Sequence, residues 1–109
     1  MLSQVYRLAR KEALALKNGT SVFTTLLSLR AIPYSRIQIS VSVSKKVAKK
    51  AVDRNRMRRQ YYSALEKLIP EIKTPAKMMI FPKKTTKTIS HKELVEELRK
   101  ALDKAKLIS

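Results

Sequence analysis

The spacing of apolar positions changes along this chain, and each change marks an element. Leu2, Val5, Ala9, Ala13 and Leu16 recur three or four residues apart, which predicts a helix within residues 5–17, stopped at Asn18-Gly19. Thr20 to Ala31 is rich in β-branched and apolar residues, and Ile32-Pro33-Tyr34-Ser35 reads as a turn. From Ile37 to Val43 the period drops to two: Ile37, Ile39, Val41 and Val43 alternate with Gln38, Ser40, Ser42 and Ser44. That is a strand with one apolar face and one small, polar face.

From Asp53 to about Ile69 the helical period returns, with Asp53 as the expected N-cap and Pro70 as the stop. Met57, Tyr61, Ala64, Leu65 and Leu68 share one stripe, and Asn55, Arg56 and Arg59 point away from it with Arg58 on its flank. Met78 to Phe81 is a short apolar run ended by Pro82, as in a buried strand. Ser90-His91-Lys92-Glu93 has the form of a capping box, and Leu94, Leu98, Ala101, Leu102 and Ala105 form the stripe of a last helix. The expected order is α-β-β-α-β-α, and an extra short strand is allowed near Thr20. At 109 residues the chain is expected to be a single domain spanning 1–109.

Charge changes this picture from a generic small domain to one with a partner. Net charge is +17, and residues 1–89 hold twenty bases against four acids while residues 90–109 hold five against four. Half of the sixteen residues from Ser44 to Arg59 are basic (Lys45, Lys46, Lys49, Lys50, Arg54, Arg56, Arg58, Arg59), with Asp53 the lone acid. Holding such charge on a strand-to-helix unit costs self-repulsion unless a polyanion neutralises it, and a nucleic-acid backbone fits best. Ser42 and Ser44, ahead of Lys45 and Lys46, are either plain solvent surface or a flat strip on which a single strand can lie. Tyr6, Phe23, Tyr34, Tyr61, Tyr62 and Phe81 read as core or rim before stacking platforms; Tyr61 falls on the apolar stripe, and Tyr62 does not.

Several chemistries are excluded. There is no cysteine and one histidine, His91, so disulfide frameworks, cysteine zinc sites and multi-histidine metal sites have no ligands. Glu93, Glu96, Glu97 and Asp103 share a helix with nearby bases, so ion pairing such as Glu96 with Lys100 is expected there. A single glycine, Gly19, leaves no Gly-rich phosphate loop. No stretch is long and apolar enough for a membrane span, and charges interrupt the N-terminal segment before it reaches signal-peptide length, so a cytoplasmic protein is expected. No protein active site, no metal site and no small-molecule substrate are expected.

The segment ISVSVSKKVAKKAVDRNRMRRQYYSAL resembles the protein subunit of bacterial ribonuclease P. The resemblance rests on Val43, Ser44, Lys45 and Lys46, then Ala51, and then Arg54, Asn55, Arg56, Met57, Arg58 and Arg59 opening a helix. It implies an α/β (α+β) sandwich with a small mixed sheet, like ribosomal protein S5 domain 2, with a left-handed βαβ crossover, the exception to the usual handedness. It also implies an accessory subunit of an endoribonuclease that matures the 5′ end of tRNA, with catalysis carried by the RNA and its Mg²⁺. The partners implied are the ribonuclease P catalytic RNA and precursor tRNA. By the same resemblance Arg54, Asn55, Arg56, Arg58 and Arg59 contact the catalytic RNA, while Ser42, Ser44, Lys45 and Lys46 line the cleft for the 5′ leader; Lys45, Lys46, Lys49 and Lys50 are expected to bind RNA by their charge. A basic structural ribosomal protein and a stand-alone nuclease are the alternatives.

Overall fold

Two strands with apolar residues at alternate positions, β2 (Leu27–Pro33) and β4 (Ala76–Pro82), form the middle of a four-stranded sheet. The computed structural model describes residues 20–108 of the chain. The helix expected within residues 5–17, with its stop at Asn18-Gly19, lies outside the described residues. The sheet order is β1-β2-β4-β3, with β1 (Thr20–Phe23) antiparallel to β2, β2 antiparallel to β4, and β3 (Gln38–Val41) parallel to β4. The extra strand near Thr20 is thus real. The described order is β-β-β-α-β-α, with helices α1 (Ala51–Leu68) and α2 (His91–Lys104).

The hairpin between β1 and β2 closes without glycine, proline, asparagine or aspartate. Thr24 N–H donates to the Leu27 carbonyl at 2.9 Å, and Leu27 N–H donates back to Thr24 Oγ1 at 3.3 Å. The turn expected at Ile32–Ser35 comes later, because β2 stays paired with β4 through Pro33 opposite Ala76. Only then does the chain turn back towards β3.

Leu27, Leu29 and Ala31 of β2, Ile39 and Val41 of β3, and Met78 and Ile80 of β4 face one core with the buried sides of both helices. All five stripe residues expected on the middle helix are buried there, Tyr61 completely. Burial and the Glu97 carboxylate push the Tyr61 hydroxyl above its ordinary pKa, so it stays a neutral phenol. Among the described residues, the buried apolar group on the other sheet face is small, Met79 packed by Ile32 and Phe81.

The helix ends differ from each other. α1 begins at Ala51, two residues before the expected start, with Lys50 as N-cap and no side-chain cap bond; Asp53 sits inside the first turn. The Asp53 and Arg54 N–H groups both donate to the Lys50 carbonyl. α2 begins as the capping-box pattern requires, with Glu93 N–H donating to Ser90 Oγ at 3.1 Å. Its end is a Schellman motif: Leu107 N–H donates to the Leu102 carbonyl and Lys106 N–H to the Asp103 carbonyl. Lys106 takes φ +60° at that turn, a position that favours glycine. The expected Glu96–Lys100 pair is not the one formed. Arg99 binds both oxygens of Glu71, at 3.0 and 2.9 Å, and reaches Glu96 with its remaining nitrogen.

Candidate nucleic-acid interface

The connection from β3 to α1 is short and pinned at both ends. Val43 and Ala48 are buried, and the Val47 and Ala48 N–H groups both donate to the Ser44 carbonyl at 3.1 Å. That tight turn pushes Lys45 and Lys46 out to its exposed apex. Lys49 and Lys50 follow, also exposed, at the N-terminus of α1. Arg54 doubles back over the turn, its Nη1 donating to the Ala48 carbonyl at 3.0 Å and the Lys49 carbonyl at 2.7 Å. One of the bases expected to meet RNA therefore also fastens the loop that displays the others.

The basic residues of α1 divide between two flanks. Arg54 and Arg58 border a hollow with Ser40, Ser42, Ser44 and Lys45, floored by Met79. Arg56 lines a groove on the other flank with Lys49, Gln60, Thr85 and Lys87, where Thr86 is buried and its hydroxyl bonds Gln60 Oε1. Lys46, Lys50, Asn55 and Arg59 are exposed and line neither hollow, though Arg58 bonds Asn55 Oδ1. The serines are thus brought together with Lys45 and two arginines, and the remaining bases spread along the rim.

Tyr62 explains why the first hollow exists, and no pattern along the chain assigns it a role. Residues 54, 58 and 62 form one ridge at four-residue spacing. At its end the Tyr62 hydroxyl accepts the Val41 N–H at 3.1 Å, across 21 residues of chain. β3 is the edge of the sheet, so this bond caps an otherwise open backbone donor. It also holds the ridge against the strand that carries Ser40 and Ser42.

Electrostatically the site works against its own helix. The positive end of the α1 dipole is surrounded by Lys49, Lys50, Arg54 and Arg56, with only Asp53 of opposite sign. Each such base costs about 0.3–1 kcal/mol in water. A phosphate backbone reverses the sign of this cost, since it is attracted both to the bases and to the helix terminus. Among the described residues no three His, Cys, Asp or Glu side chains cluster as a metal would need, and no helix is long and apolar enough to cross a membrane.

Comparisons with known proteins agree with this geometry. Residues 3–106 match the family model described as Ribonuclease P. The chain is similar to the ribonuclease P protein component of Microcystis aeruginosa, 31% identical, covering 98% of this chain and 96% of that protein. A match to the Rippkaea orientalis protein of the same description is 39% identical over 65% of this chain and spans 56% of its relative. Among solved structures, a mutant of the Staphylococcus aureus RNase P protein superposes with TM-score 0.81 at 20% identity, covering 96% of this chain and 92% of that one. The Thermotoga maritima RNase P protein gives 0.78 at 19% identity, with coverage of 90% and 96%. At that identity the superpositions speak to the fold: a small mixed α+β domain with a four-stranded sheet.

Proposed function

The chain belongs to the ribonuclease P protein family, and from that premise we propose that it binds the catalytic RNA and the 5′ leader of precursor tRNA, assisting 5′ maturation of tRNA. The observation that carries this is the split of one basic helix into two flanks, one against a serine-lined strand and one against the loop of Thr85 and Lys87. A single strand lying along Ser40, Ser42 and Ser44 would have its phosphates within reach of Lys45, Arg54 and Arg58, with little base readout. Arg56, Arg59, Asn55, Lys46, Lys49 and Lys50 would meet the folded RNA.

In this reading the protein acts by charge and position. Its bases neutralise phosphates that would otherwise repel, raising affinity for the precursor and lowering the Mg²⁺ needed for an active RNA. The phosphodiester hydrolysis belongs to the RNA and the Mg²⁺ held with it; the charged side chains at this site are nearly all cations, which repel a dication. The reading extends to a cytoplasmic location and to an arrangement like ribosomal protein S5 domain 2, with α1 joining β3 to β4 by a left-handed crossover. The parallel adjacency of those two strands supports a crossover through α1.

Reconstitution tests the reading. Adding the chain to a bacterial catalytic RNA at limiting Mg²⁺ should accelerate 5′ processing of a precursor tRNA and tighten its binding. No acceleration would overturn it, and cleavage by the RNA-free chain would point instead to a protein nuclease.

A further inference from the structure

The groove on the Arg56 flank of α1 has a volume of about 290 Å³, at the lower end of ligand-pocket sizes, and positive charge alone does not explain its lining. Its apolar part is Val47, Ala48 and Met57, the last two buried. One wall is α1, where Asp53, Met57 and Gln60 follow one another at four- and three-residue spacing. The other wall is the loop of Thr85, Thr86 and Lys87. Thr86 is 4% exposed; its hydroxyl donates to Gln60 Oε1 and its carbonyl accepts the Ile89 N–H at 3.2 Å, so the loop is fastened to the helix. That bond occupies the amide oxygen of Gln60 and leaves its NH2 group to donate. Asp53, the lone acid among the eight bases of residues 44–59, is half-buried here and forms no ion pair among the described residues.

A carboxylate in a groove that bound only phosphate would work against binding, because like charges repel. Two acceptor oxygens beside an apolar lining instead suit the donors of a base. Resting on the proposed binding of the catalytic RNA, we propose that this groove takes one unpaired guanine of that RNA. Guanine alone among the four bases presents two adjacent donors on its pairing edge, N1–H and N2–H, which the two oxygens of one carboxylate accept together. Its neighbouring O6 is an acceptor, matched by the Gln60 NH2 group. Adenine and cytosine each offer one amino group beside an acceptor nitrogen that a carboxylate repels, and uracil offers one N–H between two carbonyls. The base is unpaired because a duplex hides that edge. Val47, Ala48 and Met57 meet the face of the ring, while Lys49, Arg56 and Lys87, all exposed, hold the flanking phosphates.

The test is equilibrium binding of the full chain to a bacterial catalytic RNA, for the parent and for Asp53→Asn, with a melting curve to show that the variant is folded. Charge alone predicts tighter binding by the variant, since a repulsive carboxylate is gone. The guanine site predicts weaker binding, by about five- to hundredfold, the range of one paired contact to a base. Inosine, which lacks only the N2 amino group of guanosine, then locates the base. In catalytic RNA carrying inosine at scattered guanosine positions, one position should weaken binding to the parent and leave binding to Asp53→Asn unchanged. Thr85→Trp, which fills the groove from its exposed rim, should abolish the same inosine effect. Tighter or unchanged binding by folded Asp53→Asn refutes the site, as does the lack of any inosine position whose effect depends on the groove. A parent chain that does not bind the catalytic RNA at all would instead defeat the RNA-binding reading as a whole.

Discussion

Helices α1 and α2 pack against each other on the same sheet face, yet their polar surfaces follow opposite rules. α2 is built for stability. It has a serine cap, a Schellman end, a Glu71–Arg99–Glu96 ion-pair group and nearly balanced charge. α1 has bases at its positive end, a lysine N-cap without a side-chain bond, and one acid in its first turn. Both bury a full apolar stripe, so both dock equally well. The difference teaches that α1 gives up favourable surface electrostatics for a charge pattern useful only beside a polyanion, and α2 makes up part of that cost.

The comparison is broken most severely through α2. Leu98 is 1% exposed at the centre of its stripe, so Leu98→Ala should lower stability by about 2–5 kcal/mol, a large part of what a domain this size has. Thermal or denaturant unfolding would show it, and an unchanged midpoint would mean that α2 is not docked as described.

The caps come next. Ser90→Ala should cost about 0.5–2 kcal/mol, because the Glu93 N–H loses its acceptor. Lys50→Ala, at the equivalent place on α1, removes no cap and should be neutral or slightly stabilising when RNA is absent. Equal losses in the two variants, measured by urea unfolding, would erase the contrast. Lys106→Gly should add up to about 1 kcal/mol by relieving a left-handed residue, seen as a higher melting temperature.

The smallest effect is on pH. The Arg99 guanidinium bonded to Glu71 holds that carboxyl below its ordinary value of 4.5. A carboxyl depressed in the folded state adds stability that is present above its unfolded pKa and lost as pH falls through its folded one. Glu71→Gln should therefore flatten the loss of stability below about pH 4.5, and only slightly, since the pair is exposed and screened by solvent. Identical acid unfolding curves for parent and variant would remove the ion pair from the account.

What the sequence made legible follows from where the decisive contacts lie. The α1 stripe and the Ser90 cap are local patterns and stand where expected; of the alternation expected from Ile37 to Val43 the strand keeps Gln38–Val41, and Gln38, expected on the polar face, is buried. The start of α1 was misjudged because Asp53 looks like a cap, whereas nothing in Lys50 or Ala51 announces a helix. The hairpin at Thr24 closes with a threonine side chain in place of the usual turn residues, so its sequence carries little signal. Arg99 turns to Glu71, 28 residues away, and Tyr62 to Val41, 21 residues away; spacing along one helix could not reveal either. For the site, the run from Ser44 to Arg59 stands out by composition, but its division into two flanks needs the fold.

The most direct test of the central claim is the salt dependence of binding to the catalytic RNA, for the parent and for Arg56→Glu/Arg59→Glu. Both residues are exposed on α1 and lie off its buried stripe, so the double variant should melt like the parent. If roughly four to six phosphates are neutralised, log affinity should fall against log salt with a slope of about −3 to −5. The variant should bind more weakly and with a shallower slope. An unchanged slope and affinity, in a variant shown to be folded, would take α1 out of the interface and contradict the account.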